Sequence, residues 1–280
     1  MSRNRSVFLI SCLAFGFAFL YAPILSLVVY SFNKSKLVTV WAGFSTKWYG
    51  ELLHNEQILN AAWLSVRIAT MNASVAVVLG TMAGFALSRY GRFPGRTGMT
   101  GMVTAPLVMP DVIIGLSLLL FFVALEQLLG WPKGRGVTTI TIAHITFSMA
   151  YVAVIVQSRL VSVDLSIEEA ALDLGARPSK VFFVITLPII APALASGWLL
   201  SFTMSLDDLV IASFVSGPGS STLPMVVFSK VRLGLSPEIN ALATIIVLLV
   251  SIGVVLAGVL LARRERMRQR DVQIAIAANE

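Results

Sequence analysis

Long uncharged runs of apolar residues alternate with short polar segments along most of this chain. A transmembrane helix needs about 20 predominantly apolar residues, and six stretches of the sequence have that length. They predict an all-α, polytopic membrane protein with a single transmembrane domain over 1–280. The predicted spans are 7–32, 61–88, 99–125, 137–158, 181–206 and 239–262.

The first run has to be distinguished from a cleavable signal peptide. The apolar core of a signal peptide is only about 7–15 residues long, whereas this run has 26 uncharged residues. We therefore interpret 7–32 as a retained membrane anchor.

A further apolar stretch, 209–229, is interrupted in the middle by Gly217-Pro218-Gly219-Ser220-Ser221. Each half is too short to cross a membrane. The stretch is therefore predicted to be re-entrant or to lie on the membrane surface, and the alternative is a seventh span. In the second predicted span, Gly80 and Gly84 have the G-x-x-x-G spacing that allows two helices to approach closely.

The composition supports a lipid environment for these runs. Of the 280 residues, 57% are hydrophobic and only 12% are charged, against roughly 25% charged residues in a typical soluble domain. These values exclude a water-soluble globule and a disordered chain. The single cysteine, Cys12, allows no internal disulfide.

The basic residues predict an orientation for the spans. Thirteen lysines and arginines flank the side that holds both termini, seven flank the other side, and Arg67 falls inside the second span. Because cytoplasmic flanks carry the excess of positive charge, both termini are predicted to be cytoplasmic. A loop at 159–180 and a basic tail at 263–280 then lie on the same side.

The loop 159–180 carries strong local signals. Ser166 and Glu169 have the spacing of a capping box, which predicts a helix start. Gly175 suits the left-handed position after a helix, and Pro178 suits the first turn of the next one. An apolar stripe follows one face of the predicted short helix, made of Ile167, Ala170, Ala171 and Leu174.

This stripe predicts a protein partner. Glu168, Glu169 and Asp173 lie on the same short helix, and their charge disfavours contact with an anionic membrane surface. An amphipathic helix can instead place its apolar face in a groove of another protein. We therefore expect the loop helix to dock on a separate subunit.

Asp111 lies about 12 residues into the third predicted span, roughly 18 Å along a helix. A lipid-facing aspartate at that depth costs about 2.5–3.5 kcal/mol, so we expect it to face the bundle interior or a wet cavity. Pro106 and Pro110 free backbone carbonyls nearby, which favours a cation-binding region. The alternative is a structural aspartate that pairs with Arg67 or with an amide donor.

Asp207 and Asp208 end the fifth predicted span near its outer face. Two ionised carboxylates at this position attract cations to the mouth of a pathway. The alternative is a solvated helix end. Glu238, near the start of the sixth span, is a weaker candidate.

The sequence contains no motif for chemistry on a bound substrate. His144 and His54 have no metal-ligand partner at helical spacing, so no metal site and no catalytic residue are predicted. The phosphate loop G-x-x-x-x-G-K-[ST] is absent from the sequence. We expect a transporter subunit and not an enzyme, with no cofactor in this chain and ATP hydrolysis in a separate partner.

The segment Glu169-Ala170-Ala171, followed by Gly175, Ile185 and Leu187-Pro188, resembles the EAA signature of ABC importer permeases. The resemblance implies the type I importer permease fold. It also implies a coupling helix that sits in a cleft of a cytoplasmic ATP-binding subunit. The ATPase-coupling residues that it assigns are Glu168, Glu169, Ala170, Ala171, Asp173 and Gly175.

Four further segments resemble polyamine importer permeases, and most closely the second permease subunit of the putrescine importers. They are SFNKSK, APLVMPDVI, SFTMSLDDLVIASFVSGPG and PEINALATI. The resemblance assigns a cation pathway to Asp111, Asp207 and Asp208.

The same resemblance implies the partners and the location. The partners are a related permease in a heterodimer, a cytoplasmic ATP-binding subunit dimer and a periplasmic polyamine-binding protein, with no nucleic acid. The location is the bacterial inner membrane. The alternatives are an ABC permease for another small cationic or amino-acid substrate, an ion-driven secondary transporter, and a receptor or scaffold that transports nothing.

Overall fold

The structure is a computed structural model that describes residues 3–37, 40–234, 236–253, 255 and 259. These residues fold into helices joined by short loops. The helices are α1 (Arg3–Ser31), α2 (Lys47–His54), α3 (Glu56–Arg89), α4 (Arg96–Val108), α5 (Asp111–Leu129), α6 (Val137–Val161), α7 (Ser166–Asp173), α8 (Pro178–Val181), a π-helical turn (Phe182–Thr186), α9 (Leu187–Asp207), α10 (Val210–Val215), α11 (Leu223–Leu233) and α12 (Pro237–Gly253).

The all-α membrane fold is confirmed. Within the described residues, five helices are long and apolar enough to cross a membrane. Helix α12 is a shorter apolar helix over the first part of the predicted sixth span, and most of the rest of that span and the basic tail 263–280 lie outside the described residues. The five candidate spans are Val7–Ser31, Glu56–Arg89, Asp111–Leu129, Val137–Val161 and Pro178–Asp207.

The third predicted span differs from the structure, which has two helices in place of one. Helix α4 ends at Val108, and Met109 and Pro110 have extended backbone angles. A proline disfavours helical angles in the residue before it and donates no hydrogen bond to the preceding turn. Asp111 is therefore the first residue of α5 and does not lie in the middle of a continuous helix.

The chain divides into two compact units, Gln57–Ser229 and a second unit formed by Met1–Glu56 with Lys230–Glu280. In the unit Gln57–Ser229, α6 is the most buried of the candidate spans. Helix α9 packs against α6, and α10 packs against α5. The core between α6 and α9 includes Val152, Val156 and Ile190.

The glycines of the G-x-x-x-G pair lie directly against α6, as their spacing predicts. A Cβ atom on Gly80 would lie 2.6 Å from the Val152 Cβ and 2.8 Å from the Met149 carbonyl oxygen. A Cβ atom on Gly84 would lie 2.7 Å from the Ala153 carbonyl oxygen. Only glycine therefore permits this separation of α3 and α6.

We expect Gly80→Ala to destabilise the folded bundle by about 1–3 kcal/mol, the usual cost of overpacking. The added methyl group meets backbone and a β-branched side chain, neither of which can move aside easily. The measurement is the thermal unfolding midpoint of the detergent-purified protein. Gly50→Ala on α2 is the control, because Gly50 has open space around its Cα, and an equal midpoint for both variants would contradict the prediction.

The interrupted stretch 209–229 forms two short helices, α10 and α11, on either side of the Gly-Pro-Gly turn. Neither has the length of a span, as predicted. The α10 residues Ile211, Ala212 and Val215 are buried, and Phe214 lies so close to Gly115 that a Cβ there would be 2.7 Å from its ring. This burial favours the re-entrant arrangement over a surface one for α10.

In the other unit, the loop after α1 is organised around the buried side chain of Asn33. Its Oδ1 accepts hydrogen bonds from the backbone N–H groups of Ser35 and Ala42, and its Nδ2 donates to the Val40 carbonyl at 2.8 Å. Trp48 Nε1 donates to the Asn33 carbonyl at 2.6 Å. Trp48 is thus buried.

Candidate coupling surface and membrane acids

The end of α7 is a sharp glycine turn. Gly175 has a φ of +83°, its N–H donates to the Leu172 carbonyl at 2.9 Å, and the Ala176 N–H donates to the Ala171 carbonyl at 3.1 Å. This pair of bonds is the Schellman motif, which needs a left-handed residue at the glycine position. Pro178 then begins α8. The predicted helix end and the predicted start of the next helix are both confirmed.

The start of α7 differs from the predicted capping box. Ser166 is the first residue of the helix, and the hydrogen bonds of the capping box are not formed there. Instead, the Ser166 N–H donates to Asp164 Oδ1 at 3.0 Å. Hydrogen bonds from the Ser166 backbone and then its side chain lower the pKa of the Asp164 carboxyl below its ordinary value. Ser166 thus bonds to Asp164, and the Glu169 N–H that a capping box would have bound donates to the Leu165 carbonyl at 3.0 Å.

The apolar residues of α7 and its following turn are exposed. Ile167 is 49% exposed and Leu174 is 90% exposed, while Ala171 is half-buried. Glu169, Ala170 and Asp173, which the sequence assigns to coupling, are exposed as well. An exposed apolar stripe next to two acids is the surface that a docking helix presents to a partner groove.

Glu168 is the exception among the assigned coupling residues, because it is buried. Its Oε1 accepts a hydrogen bond from the Arg89 guanidinium at 2.9 Å and another from Thr186 Oγ1 at 3.1 Å. Neither Arg89 nor Thr186 was recognised from the sequence. In the sequence, Arg89 is one of the thirteen basic residues on the side of the termini, and Thr186 lies between two fixed positions of the EAA signature.

The helix that follows α8 contains one π turn, Phe182–Thr186, in which the Leu187 N–H bonds to the Phe182 carbonyl. Pro188 is the second residue after this turn. A proline lacks the N–H for the usual bond and its ring crowds the carbonyl four residues earlier. The wider turn relieves that crowding, and it coincides with the Ile185-x-Leu187-Pro188 part of the signature.

Asp208 directly follows the last residue of α9 and organises the start of α10. Its Oδ1 accepts the Ile211 N–H at 3.2 Å, and its Oδ2 accepts the Ala212 N–H at 2.7 Å. The same Oδ2 lies 3.1 Å from His144 Nε2, and His144 Nδ1 lies 2.7 Å from Ser205 Oγ. The Asp208 side chain is only 11% exposed, so this carboxylate has a structural role within the chain.

Asp111 and Asp207 are exposed in this chain. Asp207 differs from its neighbour Asp208 in exposure, because the Asp208 side chain is only 11% exposed. Within the described residues, no ion pair joins Asp111 to Arg67, which is also exposed on α3. The pairing considered as an alternative for Asp111 is thus not formed in this conformation.

His144 belongs to a polar seam that the sequence did not reveal. Further along α6, Ser148 Oγ accepts a hydrogen bond from Asn72 Nδ2 at 3.1 Å, and the same Nδ2 donates to the Ser201 carbonyl at 2.9 Å. Asn72, Ser148 and Ser201 are all fully buried. Such hydrogen bonds between helices hold a membrane bundle together where apolar packing gives no preference over lipid.

The chain is similar to known transport proteins. Residues 76–267 match the family described as binding-protein-dependent transport system inner membrane component. The chain is 63% identical over 271 residues to the putrescine transport system permease protein PotI of Escherichia coli K12, covering 97% of this chain and 96% of that protein. It is 43% identical over 247 residues to the spermidine/putrescine transport system permease protein PotC of the same strain, covering 88% and 90%.

A solved structure shares the fold. A bacterial ABC transporter for the import of the acidic polysaccharide alginate contains a chain with a TM-score of 0.70 and 18% identity, covering 92% of this chain and 97% of that one. At that identity the likeness concerns the fold alone. The family match and the two relatives show that this is a multi-pass inner-membrane transport subunit and not an enzyme. The chain belongs to the family of inner-membrane permeases of binding-protein-dependent ABC importers.

Proposed function

We propose that this chain is one of two permease subunits in an ATP-driven importer of polyamines, with putrescine as its cargo. The observation that carries the proposal is the 63% identity to PotI over nearly the whole length of both chains. The partners in this proposal are a related permease, a cytoplasmic ATP-binding subunit dimer and a periplasmic polyamine-binding protein. Together the two permeases form the pathway.

In this proposal α7 is the coupling helix and both termini lie in the cytoplasm. The exposed stripe of Ile167 and Leu174 supports docking, because it is left uncovered by the rest of the unit to which it belongs. The excess of basic residues on the side of the termini supports the orientation. ATP binding in the partner moves α7, and this movement switches the bundle between its two access states.

Putrescine is a flexible dication at neutral pH, and its pathway needs carboxylates that replace the lost hydration without binding too tightly. Asp111 and Asp207 are exposed, so each is available to a cation in a pathway shared with the partner permease. Asp208 contributes differently, since its oxygens already accept three hydrogen bonds. It stabilises the backbone between α9 and α10 at the mouth of the pathway and places a negative charge beside it.

We expect Asp111→Asn and Asp207→Asn each to lower the initial rate of putrescine uptake about tenfold. A hydrogen bond to a charged group contributes about 1.5–3 kcal/mol, and about 1.4 kcal/mol corresponds to a factor of ten. The measurement uses cells that carry the full set of subunits and no other polyamine importer. Glu51→Gln on α2 is the control, since Glu51 pairs locally with Lys47.

Three outcomes bear on the proposal. Equal uptake by all variants at equal membrane levels would remove the acids from the pathway. Absence of putrescine uptake by the native complex would reopen the cargo, with another small amine or an amino acid as the next candidate. Uptake that persists without the ATP-binding subunit would contradict ATP-driven transport.

A further inference from the structure

The coupling helix α7 contains one buried residue, and that residue is charged. Glu168 is buried, while Ile167 and Ala170 on the same helix are exposed and Ala171 is half-buried. The helix is therefore held against the bundle mainly by a carboxylate and not by an apolar core. A buried carboxylate requires a compensating partner, which Arg89 supplies.

Glu168 joins three separate elements at one oxygen atom. Its Oε1 accepts from Arg89, the last residue of α3, and from Thr186, the last residue of the π turn. The Arg89 and Glu168 side chains are 8% and 12% exposed, and Thr186 is 1% exposed. Solvent therefore screens this junction weakly, unlike a surface ion pair.

The junction also fixes the direction of α7. The Schellman turn at Gly175 connects the helix to α8, and a single turn leaves the helix free to pivot. Glu168 lies seven residues before that turn in sequence and attaches the helix at a second place. Two points of attachment make α7 move together with α3 and the π turn.

The Arg89 guanidinium has a buried donor that makes no hydrogen bond in this conformation. Its Nε is buried and has no hydrogen-bond partner within the described residues. A guanidinium that binds a carboxylate through both Nε and one terminal nitrogen makes a stronger, bidentate pair. The Arg89–Glu168 pair could thus become bidentate if the side chains reorient.

We propose that Arg89 is a positioning residue for coupling, which transmits movement of α7 to α3 and to the fifth span through Glu168 and Thr186. This inference rests on the proposed role of α7 in an ATP-driven importer. The Arg89 side chain itself does not contact cargo or nucleotide in this scheme. Its loss separates ATP hydrolysis from transport while the subunits still assemble.

The first experiment measures cargo moved per ATP hydrolysed by the reconstituted complex. Arg89→Met and Glu168→Gln are expected to lower that ratio about fivefold or more, in the range of typical coupling energies. Thr186→Val removes a smaller, neutral contact, so its effect is smaller. Arg92→Met is the control, because Arg92 is an exposed arginine in the loop directly after α3.

Variants that restore an ion pair between positions 89 and 168 distinguish a positioning role of Arg89 from general damage to the fold. Arg89→Lys keeps the charge and is expected to recover part of the ratio. The exchanged pair Arg89→Glu with Glu168→Arg is expected to recover more than either single change. A ratio for Arg89→Met equal to the native ratio would overturn the inference, even if putrescine uptake by the native complex is confirmed.

A second measurement does not depend on the cargo. Spin labels at Arg92→Cys and Leu174→Cys, in a Cys12→Ser background, report the distance between the end of α3 and the turn after α7 by double electron–electron resonance. The native complex is expected to give one narrow distribution with and without ATP. Arg89→Met is expected to broaden it. A broad native distribution, or an unchanged one in the variant, would overturn the inference even if putrescine is the wrong cargo.

Discussion

Replacing Gly175 with valine is expected to lower transport about tenfold or more while leaving the transmembrane bundle folded. A non-glycine residue in the left-handed conformation costs about 1–2 kcal/mol, and β-branched residues are the least tolerant of it. The two hydrogen bonds of the turn contribute about 1 kcal/mol each. Because a Cβ at Gly175 would meet nothing within 4 Å, the effect comes from the backbone conformation and not from crowding.

The matched variants test that cause. Gly175→Asn is expected to retain most of the activity, since asparagine is tolerated at left-handed positions after helices. Gly43→Val places the same side chain at another glycine with positive φ and open space, in the loop after α1. The measurements are uptake and ATPase activity at equal membrane levels. Activity of Gly175→Val equal to that of Gly43→Val would show that the direction of α7 is unimportant.

Replacing Asp208 with alanine is expected to destabilise the α9–α10 corner and to abolish uptake. The change leaves the Ile211 and Ala212 N–H groups and the His144 ring without their shared acceptor. Each buried polar group that loses its partner costs about 1–3 kcal/mol. We therefore expect a lowered unfolding midpoint together with the loss of transport.

Asp208→Asn separates the structural contribution from the charge. An asparagine can still accept hydrogen bonds through its one carbonyl oxygen, so the unfolding midpoint is expected to fall less than for alanine. If the negative charge also serves the cation pathway, uptake by the asparagine variant is reduced beyond what its stability explains. Native uptake by a stable Asp208→Asn permease would restrict Asp208 to its structural role.

The spans and the turn after α7 could be predicted because each depends on local sequence. Lipid requires long apolar runs, and the backbone at Gly175 requires a residue without a side chain. Pro110 indicates that the helix is disturbed just before Asp111, because a proline leaves a backbone carbonyl without its hydrogen bond. The sequence alone does not decide between a kinked helix and two separate helices.

The pairs that define the candidate sites could not be predicted from local sequence. Arg89 lies 79 residues from Glu168, and His144 lies 64 residues from Asp208. Neither separation follows a helical period, and both pairs depend on how distant helices pack. In the sequence, His144 is only a histidine with no metal-ligand partner at helical spacing.

The π turn has a consequence for how the sequence of this helix can change. Each residue advances about 100° around an α-helical axis, so the one extra residue of a π turn offsets every later side chain by that angle. With this offset, Ser201 and Ser205 are buried at the seam with α6. The helix Pro178–Asp207 thus consists of two segments with separate phases, and loss of a single residue within 182–186 would turn the second segment's seam away from its neighbours.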